Sequence, residues 1–153
     1  MIKINFVVVG HLKEKYWNDA FSEYAKRISR FAELKVYEVA ESSDAGSIEL
    51  QKSKECAGIL NKLTGFVILT DRTGDIIDDK QFADLISQLA VNGISEISYV
   101  IGGSHGVSES IKMRANKVVS FGKLTFPHRL MRIILAEQIY RALTIINGLP
   151  YHK

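Results

Sequence analysis

The chain has 153 residues, 46% of them hydrophobic and 24% charged, which describes one globular domain spanning 1–153 with a core of its own and excludes a disordered chain. Its formal net charge of +3 admits a nucleic-acid partner without requiring one, and it lacks the dense basic clusters of a protein that only grips phosphate. Cys56 is the single cysteine, so neither an intramolecular disulfide nor a cysteine metal cluster can form within one chain; no metal site and a reducing, cytoplasmic setting are expected.

Residues 2–9 are apolar and rich in β-branched side chains, and they end at Gly10. This predicts a buried strand. The run is short, Lys3 and Asn5 interrupt it and no small-residue cleavage site follows, so it does not read as a signal peptide. No stretch approaches the roughly 20 apolar residues of a membrane span. Trp17, Ala20, Phe21, Tyr24 and Ile28 then recur at helical spacing. Lys13, Lys15, Lys26, Arg27 and Arg30 flank that helix and read first as a solvated face.

Residues 34–39 alternate as a second strand, and a polar loop covers 42–46. A helix over 47–63 carries Ile48, Cys56, Ile59 and Leu60, with Cys56 as buried filler. Residues 66–69 form a third strand, closed by Thr70 and Asp71. Asp78 with Gln81 three residues on predicts a capping box for a helix that buries Phe82, Leu85, Ile86 and Leu89. A fourth strand over 97–101 stops at Gly102 and Gly103. Ser108 opens a short helix to Met113, and 118–121 form a fifth strand. A long helix over 127–146 is ended by Asn147, Gly148 and Pro150.

Strands and helices alternate throughout, which predicts an α/β fold: a mostly parallel sheet with helices on both faces. Ligands in open sheets of this kind bind beyond the carboxyl ends of the strands. The loops after Leu69, Ile101 and Phe121 are therefore the candidate site. Gly102, Gly103 and Gly106 allow close backbone approach or positive φ, as a ligand loop or as a tight strand-to-helix turn. Their spacing is neither a Rossmann fingerprint nor a phosphate loop. Between 121 and 127, Phe121 and Phe126 either cover a ligand or pack a connector. The last helix is apolar around most of its circumference, which predicts burial on all sides by a partner subunit or by the chain itself. Glu137 and Arg141 are spaced for an i,i+4 ion pair, and His128, Arg129, Arg132, His152 and Lys153 gather at the ends of this segment.

Five runs go further: VGHLKEKYW at 9–17, VIGGSHGV at 100–107, LTFPHRLMR at 124–132, EQIYRA at 137–142 and PYHK at 150–153. Together, in this order and at this chain length, they resemble the small SPOUT-class methyltransferases that methylate N3 of a pseudouridine in 23S rRNA. The resemblance implies an α/β fold with a trefoil knot near the carboxyl end, a homodimer, and S-adenosyl-L-methionine as cofactor. The implied cofactor contacts are Thr70, Gly102, Phe121, Gly122, Lys123, Leu124, Thr125 and Phe126. Thr70, Val107 and Gly122 depart from the leucine, leucine and serine frequent in that family, so cofactor contact at these places is expected through backbone. The implied partner is 23S rRNA within the large subunit or the assembled ribosome. N3 of pseudouridine must lose a proton near the moment of attack, and charge builds on the base oxygens. The catalytic pool for those tasks is His128, Arg132, Arg141, Tyr151 and His152. The competing reading is a non-catalytic ribosome- or RNA-binding module in which the glycine loop is merely a turn.

Overall fold

The computed structural model of the chain describes residues 1–42 and 46–151. Five strands, β1 (Ile2–Val9), β2 (Ala32–Val39), β3 (Phe66–Ile76), β4 (Glu96–Ile101) and β5 (Lys117–Ser120), form one sheet in the order β2-β1-β4-β3-β5. Every pairing is parallel. Parallel neighbours need crossover connections; the first four of five helices supply them and the fifth follows the last strand. The helices are α1 (Lys15–Ile28), α2 (Ile48–Leu60), α3 (Asp79–Val91), α4 (Glu109–Arg114) and α5 (His128–Ile146).

The period-two alternation of the strands divides the interior into two cores. Ile4, Phe6, Val8, Ile97, Tyr99 and Ile68 face one way, against α1, α3 and α5. Val7, Val9, Val67, Leu69 and Val100 face the other way, against α2 and α4. The expected capping box is present: Gln81 N donates to Asp78 Oδ1 at 2.8 Å, and Asp78 N donates to Gln81 Oε1 at 2.9 Å. The stop after α5 is a Schellman motif, with Gly148 at φ +64° and Leu149 N donating to Thr144 O at 2.9 Å.

Several boundaries differ from the sequence expectation, and β2 starts two residues earlier than expected, at Ala32. α2 ends at Leu60 rather than at residue 63, β5 ends one residue before Phe121, and Pro127 is the extended N-cap of α5 rather than part of its first turn. The largest difference is β3, which runs to Ile76 instead of stopping at Leu69. Polar residues after Thr70 suggested a loop; they form an irregularity in the strand. The register against β5 jumps between Thr70 and Asp75, and Thr73 N donates to Asp71 Oδ2 at 3.0 Å inside the bulge. Composition misleads here because this outer stretch pairs with β5 while its side chains face water.

Within the chain the apolar circumference of α5 is covered only in part. Leu135, Ala136, Ile139, Ala142 and Leu143 form a buried stripe against the core, while Ile133 and Ile134 are half-buried and Ile145 and Ile146 are exposed. The helix lies against α1 and α3, and one side of it is left uncovered within the chain.

Candidate active site

All five strands point their carboxyl ends to one edge, and there the segments after β4 and β5 and the bulge of β3 enclose a cleft of about 950 Å³. Thr70, Asp71 and Arg72 supply one wall. Gly102 to Val107 supply the second. The third runs from Phe121 to Phe126 and into α5 at His128, Arg129 and Met131. Of the eight residues named as cofactor contacts, seven line this cleft; Lys123 is exposed and does not.

Local chemistry sets each wall. Thr70 Oγ1 donates to Val100 O at 2.9 Å, so the hydroxyl is committed to the sheet and the residue faces the cleft through its backbone and methyl group. Ser120 Oγ accepts from Gly122 N at 3.1 Å and donates to Gly122 O at 3.0 Å, holding Gly122 at φ +116°. That conformation suits glycine and would strain a residue with a side chain. Phe121 anchors this segment against Phe82, with ring centroids 5.9 Å apart. Arg72 Nη1 donates to Thr125 Oγ1 at 3.0 Å, joining the first wall to the third.

The glycine segment closes on itself: Gly106 N donates to Gly103 O at 3.0 Å, with Gly106 at φ +79°. A Cβ on Gly102 would stand 2.7 Å from Val107 Cγ1 and 3.2 Å from the Gly106 carbonyl carbon. Glycine is required at 102 by the packing of the loop on itself, as in the tight strand-to-helix turn that the sequence left open beside a ligand loop.

Helix α2 backs this loop from behind. Gln51 Oε1 meets His105 Nε2 at 3.0 Å, and Cys56 Sγ accepts from Ser108 N at 3.3 Å. Between them Glu55, 5% exposed, accepts from Ser42 N through Oε2 at 3.1 Å, while its Oε1 has no hydrogen-bond partner. A Cβ on Gly103 would stand 2.7 Å from that Oε1. Sequence reasoning missed Gln51, Glu55 and His105. The available signal was a carboxylate at the buried phase of α2, next to Cys56 and one turn before Ile59.

The predicted catalytic residues fall into two groups. At the start of α5, Arg129 donates to Glu41 Oε2 at 3.2 Å, to His11 O at 3.3 Å and to His128 Nε2 at 3.3 Å. A guanidinium can only donate, so His128 Nε2 accepts. The His128 side chain is 11% exposed; burial, followed by the charge of Arg129, holds its pKa below the usual histidine value. Arg132 is 2% exposed and bonds to Glu38 at 2.7 Å and to Gly10 O at 2.9 Å, tying α5 to the ends of β1 and β2. In the second group, Arg141 binds Glu137 at 2.5 Å and lies 4.3 Å over the Tyr151 ring, whose hydroxyl donates to Glu137 at 2.9 Å. Burial and that bond push the Tyr151 phenol up to about 12. Nine residues of helix separate His128 from Glu137, about 14 Å along the axis. His152 lies outside the described residues. Among the described residues no group of three or more His, Cys, Asp or Glu is placed to hold a metal ion, and no helix is long and apolar enough to cross a membrane.

Comparison with known proteins brings three likenesses. A family model described as "Predicted SPOUT methyltransferase" matches residues 2–152. A protein of Streptococcus pneumoniae (strain CGSP14) named ribosomal RNA large subunit methyltransferase H is 46% identical over 159 aligned residues, covering 99% of this chain and all of that protein. Among solved structures, a methylase family protein from Haemophilus influenzae Rd KW20 aligns with a TM-score of 0.55 at 14% identity, over 99% of this chain and 70% of that one. Another from Neisseria gonorrhoeae aligns with a TM-score of 0.53 at 11% identity, over 99% and 85%. At such identities the structures speak for the fold alone.

Proposed function

The chain belongs to the SPOUT methyltransferase family, and on that premise we propose that it transfers a methyl group from S-adenosylmethionine to N3 of a pseudouridine in large-subunit ribosomal RNA. The observation that carries the reading is the strand-end cleft lined by Thr70, Gly102 and the segment from Phe121 to Phe126. The residues present suit the cofactor. Ile101, Val107, Leu124 and Phe126 offer apolar surface to a base, the glycine turn offers backbone close to the cleft, and the unpartnered Glu55 oxygen lies directly behind Gly103.

When bound, S-adenosylmethionine supplies a methyl group activated by its sulfonium. N3 of the base loses its proton and forms the bond to that carbon as the carbon–sulfur bond breaks. The chain's part is to align the two and to manage charge and proton. Arg129 lines the cleft at the start of α5 and is held by Glu41 and His128. A base oxygen that engages Arg129 releases His128 Nε2, whose neutral ring then accepts the N3 proton. Arg132 acts through position, since its guanidinium is buried on Glu38 and Gly10 O.

The working unit in this proposal is a homodimer built on the uncovered side of α5, in the cytoplasm where ribosomes are. Exposed Ile145, Ile146 and Leu149 support it. So does the separation of Arg141 and Tyr151 from the cleft of their own chain, which a second copy would relieve by presenting them to the cleft of its neighbour. Family membership also carries the expectation of a knotted path near the carboxyl end. Labelled methyl transfer to bare rRNA, to large subunits and to whole ribosomes, followed by nucleoside analysis, tests the function. Label in N3-methylpseudouridine is expected; no label in any of the three substrates overturns it.

A further inference from the structure

Glu55 is an anomaly that the proposed transfer does not use. A carboxylate 5% exposed normally has both oxygens satisfied or faces a cation. Glu55 Oε2 has Ser42 N, and Oε1 has no hydrogen-bond partner. The two arginines at the start of α5 have their own acids, Arg129 binding Glu41 and Arg132 binding Glu38, and Arg72 across the cleft donates to Thr125. Oε1 lies against a stretch of cleft wall without a side chain, since a Cβ on Gly103 would stand 2.7 Å from it. Glu55 thus lies behind a wall one glycine thick, in a half-enclosed site where a charge is felt across several ångströms.

We propose that Glu55 determines charge specificity in the cleft, favouring the cationic sulfonium cofactor over its uncharged thioether product. This rests on the cofactor reading above. S-adenosylmethionine and S-adenosylhomocysteine share the adenosine, the ammonium and the carboxylate, and differ in one methyl and one positive charge. A fixed carboxylate behind Gly103 strengthens binding before transfer and loses that advantage once the sulfonium has become a thioether, so it also promotes product release. Glycine at 103 is what lets the carboxylate stand this close.

The test is calorimetric affinity for both ligands in the wild-type chain and in Glu55→Gln, which keeps an acceptor for Ser42 N and removes the charge. The affinity for S-adenosylmethionine is expected to fall roughly tenfold, as for loss of one screened charge interaction, with the affinity for S-adenosylhomocysteine nearly unchanged. Glu55→Asp, with the charge retained, is expected to keep most of the discrimination. Glu55→Met, similar in length and uncharged, gives the same readout if the glutamine variant does not fold. Equal losses for the two ligands, or no loss for either, overturn the proposal. A wild-type chain that binds neither ligand overturns the cofactor reading instead, and this inference falls with it.

Discussion

The two halves of α5 carry arginines of the same kind in opposite situations. At its start, Arg129 and Arg132 are neutralised from far along the chain, by Glu41 and Glu38 of the segment that closes β2. Toward its end, Arg141 is neutralised by Glu137 one turn earlier on the same helix, with Tyr151 folded back over it. The first cluster exists only when β1, β2 and α5 are docked. The second needs only the helix and its tail. The first should therefore be tied to global stability, and the second should be removable with little effect on the fold.

The sharpest way to break this comparison is Arg132→Ala. It removes a buried side chain and leaves the Gly10 carbonyl without its partner, while the exposed Glu38 regains water, and a loss of about 2–4 kcal/mol is expected by denaturant titration. Arg141→Ala should cost less than about 1 kcal/mol in the same measurement. A similar cost for both would show that the two clusters do not differ as described.

Deleting residues 151–153 should separate activity from stability. Methyl transfer to ribosomes is expected to fall at least roughly hundredfold, the usual scale for losing a group that positions or exchanges protons, while cofactor affinity and assembled mass stay near wild type. A truncated chain that methylates at the wild-type rate would assign the tail no part in the reaction. Gly102→Val acts on the cleft itself. Its branches would collide with Val107 and the Gly106 backbone, and a loss of cofactor affinity of about tenfold or more with the fold retained is expected by calorimetry. Unchanged affinity would remove the glycine loop from the site.

The smallest effect concerns pH. The His128 pKa is lowered in the folded chain, chiefly by burial. Between the folded value and the unfolded value near 6.5 the unfolded chain binds more protons, so stability is full above that range and declines as pH falls through it. His128→Gln should reduce this acid-side loss, read from unfolding curves at pH 7.5 and 5.5. An unaltered pH slope would show that another group carries it.

Much of this was legible in the residues. The apolar runs of β1 and β4, the Asp78–Gln81 box and the Gly148 stop depend on neighbours within a few positions, and they are present as expected. So are the strand-end glycines and the Phe121 to Phe126 segment that line the cleft. The continuation of β3 was not legible, because Asp71, Thr73 and Gly74 have turn chemistry and only pairing with β5 holds them in the sheet. Nor was the split of the catalytic pool: helical spacing puts Arg132 and Arg141 on the same element, but their partners lie on different ones.

The sequence by itself determined the α/β alternation, the family and the three segments at the strand ends, because each depends on local periodicity or on a contiguous run. Tertiary structure alone decided that Arg132 is buried on Glu38, that α5 leaves one side uncovered, and that Glu55 ends behind Gly103 with an unpartnered oxygen. Such facts depend on which distant backbone a side chain meets after the sheet has assembled, and spacing along the chain carries no record of that distance.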